Sequence, residues 1–344
     1  LIDHEGPVGV IGAGSWGTAL AHLLAEKGYE VDLWVYEEEL CDVIARTREN
    51  TFYLPGLVLH ENVAPRRDLE KMVRDHALLV MVVPSHVYRR VASRMVGLLR
   101  EDALVVSATK GIENETLLTM SGVWKELLPS DSPVRHLCLA GPSFAREVVR
   151  RIPTAITVAG DELEVAQRVQ RVFNTGYFRV YTSTDKTGVE LAGALKNVIA
   201  LAAGTCDGLG FGHNTRAALI TRGLAEISRL GVRMGAHPLT FGGLSGVGDL
   251  ILTCTGDLSR NRTVGFQLGR GRKLEDILRD MRMVAEGVKT ARSAYALAAK
   301  MDVEMPICEQ VYRVLYEGKD PRRAVGELME RGLKHELECF PSSP

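Results

Sequence analysis

Groups able to move a proton or hold an anion fall at a few places along the 344-residue chain. Lys196 lies in ELAGALKNVIALAAG (190–204), with Val189, Ala192, Gly193, Ile199, Ala200 and Ala203 around it at helical spacing. An ammonium so surrounded loses hydration, which lowers its pKa toward the range where lysine can give and take a proton. A snorkelling stem would keep the head wet, but Asn197 adjoins it and GVGDLILTCT supplies Asp249, a carboxylate able to hold an ammonium. Ser259, Arg260, Asn261 and Arg262 read SRNR before an amphipathic segment. Hydroxyl, guanidinium and amide donors at a helix start suit a phosphate, whereas alone the same four residues make a polar loop. Lys110 in SATKG and Ser143 in AGPSFA follow short apolar runs, where an ammonium or hydroxyl can meet a carbonyl or phosphate. A solvated lysine and a plain turn are the ordinary alternatives. Glu286, after Val284, reads as a helix-start carboxylate.

The element that gives such groups a partner is VGVIGAGSWGTALAHLLAEKG (8–28). A short β-branched run leads into Gly12, Gly14 and Gly17, a G-x-G-x-x-G in which the first glycine turns the chain. The second lets backbone approach a pyrophosphate, and the third packs helix on strand. Ala19, Leu20, Leu23 and Leu24 share a helical face, Gly28 ends the helix, and a second strand follows at 31–35. The motif is weak alone and gains weight from this strand–turn–helix–strand context. The second strand ends Trp34-Val35-Tyr36-Glu37, with Arg46 and Arg48 near in sequence. A carboxylate there favours NAD and an arginine NADP, so both cofactors stay open.

Further strands are expected at 78–83, 104–107, 137–140, 155–159 and 178–182, alternating with helices such as 87–99 and 162–173, while 50–65 reads as loop. That alternation is α/β, a mostly parallel Rossmann-like sheet covered on both faces. After residue 183 the periodicity turns helical, giving a dinucleotide-binding domain at 1–183, an all-α substrate and catalytic domain at 184–338, and a tail at 339–344. Hydrophobic residues are 46%, charged residues 25%, and 42 basic residues face 43 acidic ones, a balance that excludes no local anion site but does not point to nucleic acid. Six scattered cysteines form neither a disulfide framework nor a metal cluster, which indicates a reducing compartment. No secretory pattern opens the chain, and the stretch 191–203 is too short and too interrupted to span a bilayer. A cytoplasmic protein with no membrane insertion is expected.

These residues together resemble the bacterial NAD(P)-dependent sn-glycerol-3-phosphate dehydrogenases along nearly the whole chain. The resemblance rests on GAGSWGTALA, VVPSH, SATKG, AGPSFA, GALKNVIALAAG, NTRAALITRGLAE, GVGDLILTCT, SRNR and VAEGV, in that order. It implies reversible reduction of dihydroxyacetone phosphate by NADH or NADPH to sn-glycerol 3-phosphate, for phospholipid synthesis, with Lys196 as proton donor and acceptor. It also implies cofactor contacts at Ser15, Trp16, Tyr36, Tyr53, Lys110, Ala145, Arg260, Val284 and Glu286. Substrate contacts are implied at Lys110, Gly141, Ser143, Lys196, Asp249, Ser259, Arg260 and Asn261, in a homodimer. Tyr36 departs from the basic residue many relatives carry, which leaves the choice between NAD and NADP open. A β-hydroxyacid dehydrogenase would lack a reason for SRNR. A non-catalytic dinucleotide sensor would leave Lys196, Asp249 and Arg260 without a shared purpose. On that resemblance the two halves of the chain are expected to bring nicotinamide, phosphoester and the Lys196 ammonium together.

Overall fold

A computed structural model describes residues 6–281 and 283–336; the expected tail at 339–344, Cys339 and the chain start at Leu1 lie outside the described residues. The chain forms two compact units, Leu1–Thr109 with Met120–Lys186, and Lys110–Thr119 with Thr187–Pro344. The sequence reading has a single crossing near 183. The structure instead gathers Lys110–Thr119 into the second unit, because Ile112 joins that unit's apolar core, Leu117 packs against it, and Ser293 Oγ donates to Ile112 O at 3.2 Å.

The first unit carries an eight-stranded sheet of β1 (Val8–Ile11), β2 (Val31–Trp34), β3 (Val63–Arg66), β4 (Leu78–Met81), β5 (Leu104–Ser107), β6 (Arg135–Ala140), β7 (Thr154–Ala159) and β8 (Phe178–Ser183). Its order is β3-β2-β1-β4-β5-β6-β7-β8, parallel except where β6 meets β7. β1, β4 and β5 are buried throughout, which is why they read as unbroken apolar runs. The strand order reverses at β1 and β4, and ligands of such sheets collect beyond the carboxyl ends at that point. Helices α1 (Ser15–Glu26), α2 (Glu38–Thr47), α3 (Leu69–Asp75), α4 (Ser85–Met95), α5 (Met120–Leu127), α6 (Ala145–Val148) and α7 (Leu163–Phe173) accompany the sheet. The segment expected to be loop at 50–65 ends in β3, which tolerates Pro65 because it is an edge strand and a missing N–H on its open side costs no ladder bond.

The second unit is helical, with α8 (Lys186–Gly208), α9 (His213–Arg233), α10 (Asp249–Thr255), α11 (Arg260–Gly269), α12 (Leu274–Arg279), α13 (Glu286–Met301), α14 (Pro306–Tyr316) and α15 (Pro321–Met329). α8 is long and apolar enough to cross a membrane, but 89% of its apolar window is buried by the protein itself. It is the core helix around which the unit packs. α11 crosses it at backbone contact: a Cβ on Gly204 would overlap Arg262 O, and one on Gly265 would overlap Leu201 O. Small residues at these crossing points let the start of α11 lie against the middle of α8. That crossing positions Asn261 against Asn197.

Candidate active site

In the second unit, Lys196 is 5% exposed, and its ammonium donates to Asp249 Oδ1 and, at 2.8 Å, to Thr253 Oγ1. Lys110 donates to the other carboxylate oxygen, Asp249 Oδ2, at 2.8 Å. Asp249 is 1% exposed and opens α10; Thr253 lies one turn on, and its hydroxyl donates to Asp249 O at 2.6 Å. Burial removes water from the Lys196 ammonium and pushes its pKa down to about 7, while Asp249 pulls it up and Lys110 pushes it down again. Two ammonium groups thus share one buried carboxylate. Thr253 was not singled out from the sequence, although its i,i+4 spacing from Asp249 puts both on one helix face.

Ser259 caps α11, its Oγ accepting from Arg262 N at 3.2 Å, and keeps its own hydroxyl hydrogen to donate. The two arginines of SRNR have separate fates. Arg262 is ion-paired to Asp207 at 2.9 Å and Asp257 at 3.0 Å, tying α11 to the end of α8. Arg260, though exposed by surface, sits where desolvation lowers its pKa, with the Glu286 carboxylate opposing that shift. No side chain among the described residues is hydrogen-bonded to it. Glu286 begins α13, where a carboxylate suits the positive end of the helix, and Val284 is half-buried just before it. Asn261 is buried and bonded at both ends of its amide, donating to Asn197 Oδ1 and accepting from Gly287 N, each at 2.9 Å.

In the first unit, Gly12 has φ +118°, and a Cβ there would lie 2.8 Å from Val82 O beyond β4. A Cβ on Gly17 would overlap Gly12 O, so only glycine allows α1 to sit this close to the turn. Around Gly14, by contrast, a Cβ would meet no atom of the described residues within 4 Å, and the N-cap Gly14 offers α1 no side-chain cap. Such a helix start fits a dinucleotide pyrophosphate, since backbone N–H groups and the helix dipole face the same space. Ser15 Oγ donates to Tyr53 O at 2.6 Å, and the Tyr53 hydroxyl donates to Glu37 Oε1 at 2.7 Å. Asn50, which the sequence reading passed over, fastens this segment to the turn by donating to Ala13 O and Thr18 Oγ1, both at 2.7 Å. The Trp16 ring lies 6.4 Å from that of Phe178, and its buried Nε1 has no hydrogen-bond partner among the described residues.

Beyond β2, Tyr36 is 66% exposed, edge-on to Trp34. Arg48 donates to Leu59 O at 2.9 Å and so is committed to the backbone. β3 brings two other arginines beside the end of β2, since Trp34 pairs with Arg66 in register. Arg66 bonds Asp32 at 2.7 Å, and Arg67 reaches Glu38 at 3.4 Å. They lie some 30 positions from Tyr36, so only the strand pairing reveals them. At the end of β6, Gly141 is buried, Ser143 Oγ donates to Gly141 O at 3.0 Å, and Ala145 opens α6.

A cavity of about 1210 Å³ in the second unit is lined by Leu201, Leu219, Glu226, Val311, Leu315 and their neighbours, and none of the expected site residues lines it.

Two family profiles match the chain, the NAD-dependent glycerol-3-phosphate dehydrogenase N-terminus at residues 7–166 and the C-terminus of the same family at 185–326. The chain is 68% identical over 333 residues to a glycerol-3-phosphate dehydrogenase [NAD(P)+] from Syntrophobacter fumaroxidans, covering 97% of this chain and 98% of the relative. It is 58% identical to an enzyme of the same name from Syntrophotalea carbinolica, covering 96% and 99%. A crystal structure of glycerol-3-phosphate dehydrogenase from Coxiella burnetii superposes with a TM-score of 0.91 at 39% identity, covering 95% and 99%.

Proposed function

The chain belongs to the NAD-dependent glycerol-3-phosphate dehydrogenase family, and from that premise we propose that it reversibly reduces dihydroxyacetone phosphate to sn-glycerol 3-phosphate with NADH or NADPH. The observation that carries this reading is the buried lysine whose ammonium is shared with Asp249 and Thr253 beside Lys110. A ketone that accepts hydride develops negative charge on its oxygen, and an acid must supply a proton as that charge grows. The bound nicotinamide supplies the hydride.

Lys196 is that acid. An ammonium has three hydrogens, and with two committed to Asp249 and Thr253 the third is assigned to the substrate oxygen. A pKa of about 7 suits both directions, giving the proton in reduction and taking it in oxidation. Asp249 holds Lys196 and Lys110 in fixed relation, and Lys110 lends positive charge to the polarised carbonyl. Arg260 and the hydroxyl of Ser259, with Asn261 in the same turn, form the phosphate end; Gly141 and Ser143 complete the substrate contacts. Binding a phosphate remote from the reacting carbon supplies orientation.

The first unit is the dinucleotide-binding domain. Gly12, Gly14, Ser15, Trp16 and Gly17 take the pyrophosphate side, Tyr36 and Tyr53 flank the adenosine end, and Ala145, Lys110, Arg260, Val284 and Glu286 complete the cofactor contacts. The product supplies glycerophospholipid synthesis, and the enzyme acts in the cytoplasm as a homodimer. Among the described residues Cys41, Cys138, Cys206, Cys254 and Cys308 form no disulfide. The test is oxidation of NADH and of NADPH by the purified protein with dihydroxyacetone phosphate, run beside dihydroxyacetone. Turnover that does not depend on the phosphate sinks the assignment.

A further inference from the structure

Two strand ends meet where a dinucleotide of this fold keeps its adenosine ribose. That ribose is read at the carboxyl end of the second strand, by a carboxylate when it carries a 2′-hydroxyl and by an arginine when it carries a 2′-phosphate. Here the residues after Trp34 are Val35, Tyr36, Glu37, Glu38 and Glu39, with no cation among them. Tyr53 joins this end to the pyrophosphate turn, since its carbonyl accepts from Ser15 Oγ and its hydroxyl donates to Glu37 Oε1. Of the nearer arginines in sequence, Arg48 is committed to Leu59 O. Arg46 stands in the last turn of α2, about 12 Å along the helix from Glu38 at 1.5 Å per residue.

The cations at this place come from β3. Arg66 O accepts from Val35 N at 2.9 Å, and Arg67 O accepts from the Trp34 indole at 3.0 Å, so the backbone of both arginines is fastened beside the end of β2. Their side chains part. Arg66 turns back along β2 to Asp32, a carboxylate that His76 also faces at 3.4 Å. Arg67 instead reaches Glu38, the first residue of α2, at 3.4 Å, which puts its guanidinium at the turn between β2 and α2. The Glu38 side chain is 80% exposed, and an ion pair with such a partner is weak, so a phosphate can replace it at small cost. A guanidinium meets a phosphate with two parallel donors, which an ammonium cannot do.

We propose that Arg67 is the residue by which this chain recognises the 2′-phosphate of NADPH, and that Glu38 is the counter-ion it releases when that phosphate binds. The assignment rests on the dinucleotide site proposed above and adds the group that separates one cofactor from the other.

Adenosine 2′,5′-bisphosphate and adenosine 5′-monophosphate probe this end without nicotinamide, substrate or turnover. NADPH and NADH are titrated beside them by quenching of the protein fluorescence. Arg67→Ala is expected to weaken the bisphosphate and NADPH about tenfold or more, the size of lost charge-assisted hydrogen bonds, and to leave the monophosphate and NADH within about twofold. In turnover, KM for NADPH should rise by a similar factor with kcat within about twofold. Arg67→Lys keeps the charge and loses the fork, so its NADPH constant should fall between those of Arg67→Ala and the wild type. Arg66→Ala should keep the wild-type ratio of NADPH to NADH binding within about twofold, because its guanidinium is held by Asp32. Equal weakening of both cofactors by Arg67→Ala overturns the proposal, as does an unchanged ratio, or an Arg66→Ala that abolishes the ratio as fully. Failure to reduce dihydroxyacetone phosphate with normal NADPH binding would strike the proposed reaction and leave Arg67 standing, whereas a wild type that binds none of the four nucleotides overturns both.

Discussion

The helical unit buries two ionisable groups that burial drives to the same place from opposite sides. Lys196 comes down to about 7 from an ordinary 10.5, and Glu226, on α9, goes up to about 7 from 4.5. Their surroundings differ in kind. Around Lys196 the partners are side chains, Asp249, Thr253 and Lys110, so charge and proton can be exchanged among groups of comparable chemistry. Around Glu226 the main hydrogen-bond partners are the backbone N–H groups of Ile307 at 2.7 Å and Cys308 at 3.1 Å, the first turn of α14, which no side chain caps at its N-cap position, with the Cys308 thiol and the Arg229 charge as lesser influences. Glu226 also borders the cavity of about 1210 Å³ and the Lys196 cluster does not, so cavity volume and converging side chains point to different places. A perturbed pKa marks burial; convergence of several titratable side chains marks chemistry.

The comparison breaks most sharply if the two sites are truncated in parallel. Lys196→Ala should lower kcat by about 10²- to 10⁴-fold, the range of general acid–base catalysis, while cofactor titration and melting temperature stay close to wild type. Glu226→Ala should do the reverse, keeping kcat and losing about 2–5 kcal/mol of stability, because two buried N–H groups lose their acceptor. Equal turnover in Lys196→Ala and wild type would erase the distinction.

Asp249→Asn should come next, lowering kcat by about 10- to 10³-fold, since it leaves two ammonium groups without their shared counter-charge. Asp249 raises the Lys196 pKa, so its loss should also move the pH limb of the reaction to lower pH; Lys110→Met should move it upward, because the Lys110 charge lowers that pKa. Stopped-flow or steady-state pH profiles measure both shifts. In the wild type, reduction should decline above about 7 as Lys196 loses its proton, and oxidation should rise through the same region.

The SRNR arginines give a smaller contrast. Arg260→Lys should raise KM for dihydroxyacetone phosphate by about tenfold through loss of a forked donor, whereas Arg262→Lys should leave KM alone and lower the melting temperature by loosening the Asp207 pairing.

The smallest effect is in the pH dependence of stability. The folded protein holds fewer protons on Lys196 than the unfolded chain between pH 7 and 10.5, so this group's contribution rises with pH there. Glu226 is the mirror case: between pH 4.5 and 7 the folded protein holds more protons, and its contribution falls as pH rises. Denaturant titrations across pH 5 to 7 should show Glu226→Gln with a flatter stability curve than wild type. An identical slope in both proteins would remove the buried carboxylate from the account.

Much of this was legible in the residues. The parallel strands announced themselves as apolar runs because both faces of the sheet are buried, and Gly12, Gly14 and Gly17 are local devices whose spacing needs no tertiary information. The oddity of Lys196 was visible too, since helical periodicity by itself placed an ammonium among apolar neighbours. What the linear order could not give was who answers whom. Asp249 lies 53 positions from Lys196 and 139 from Lys110. β3 with Arg66 and Arg67 was missed because a four-residue edge strand holding a proline has no periodic signature.

Local order in this chain is written by short-range sterics and by the hydrophobic period, both of which a sequence displays directly. Partner choice is set by helix crossings and strand register, which depend on every residue in the core at once. So the chain alone determined that it would carry a glycine-rich dinucleotide turn, a buried lysine and an arginine-rich helix start. Only the folded structure decided that Arg260 remains available while Arg262 is tied to Asp207, that Lys110 packs with the helical unit, and that Asn261 is held by Gly287 and Asn197.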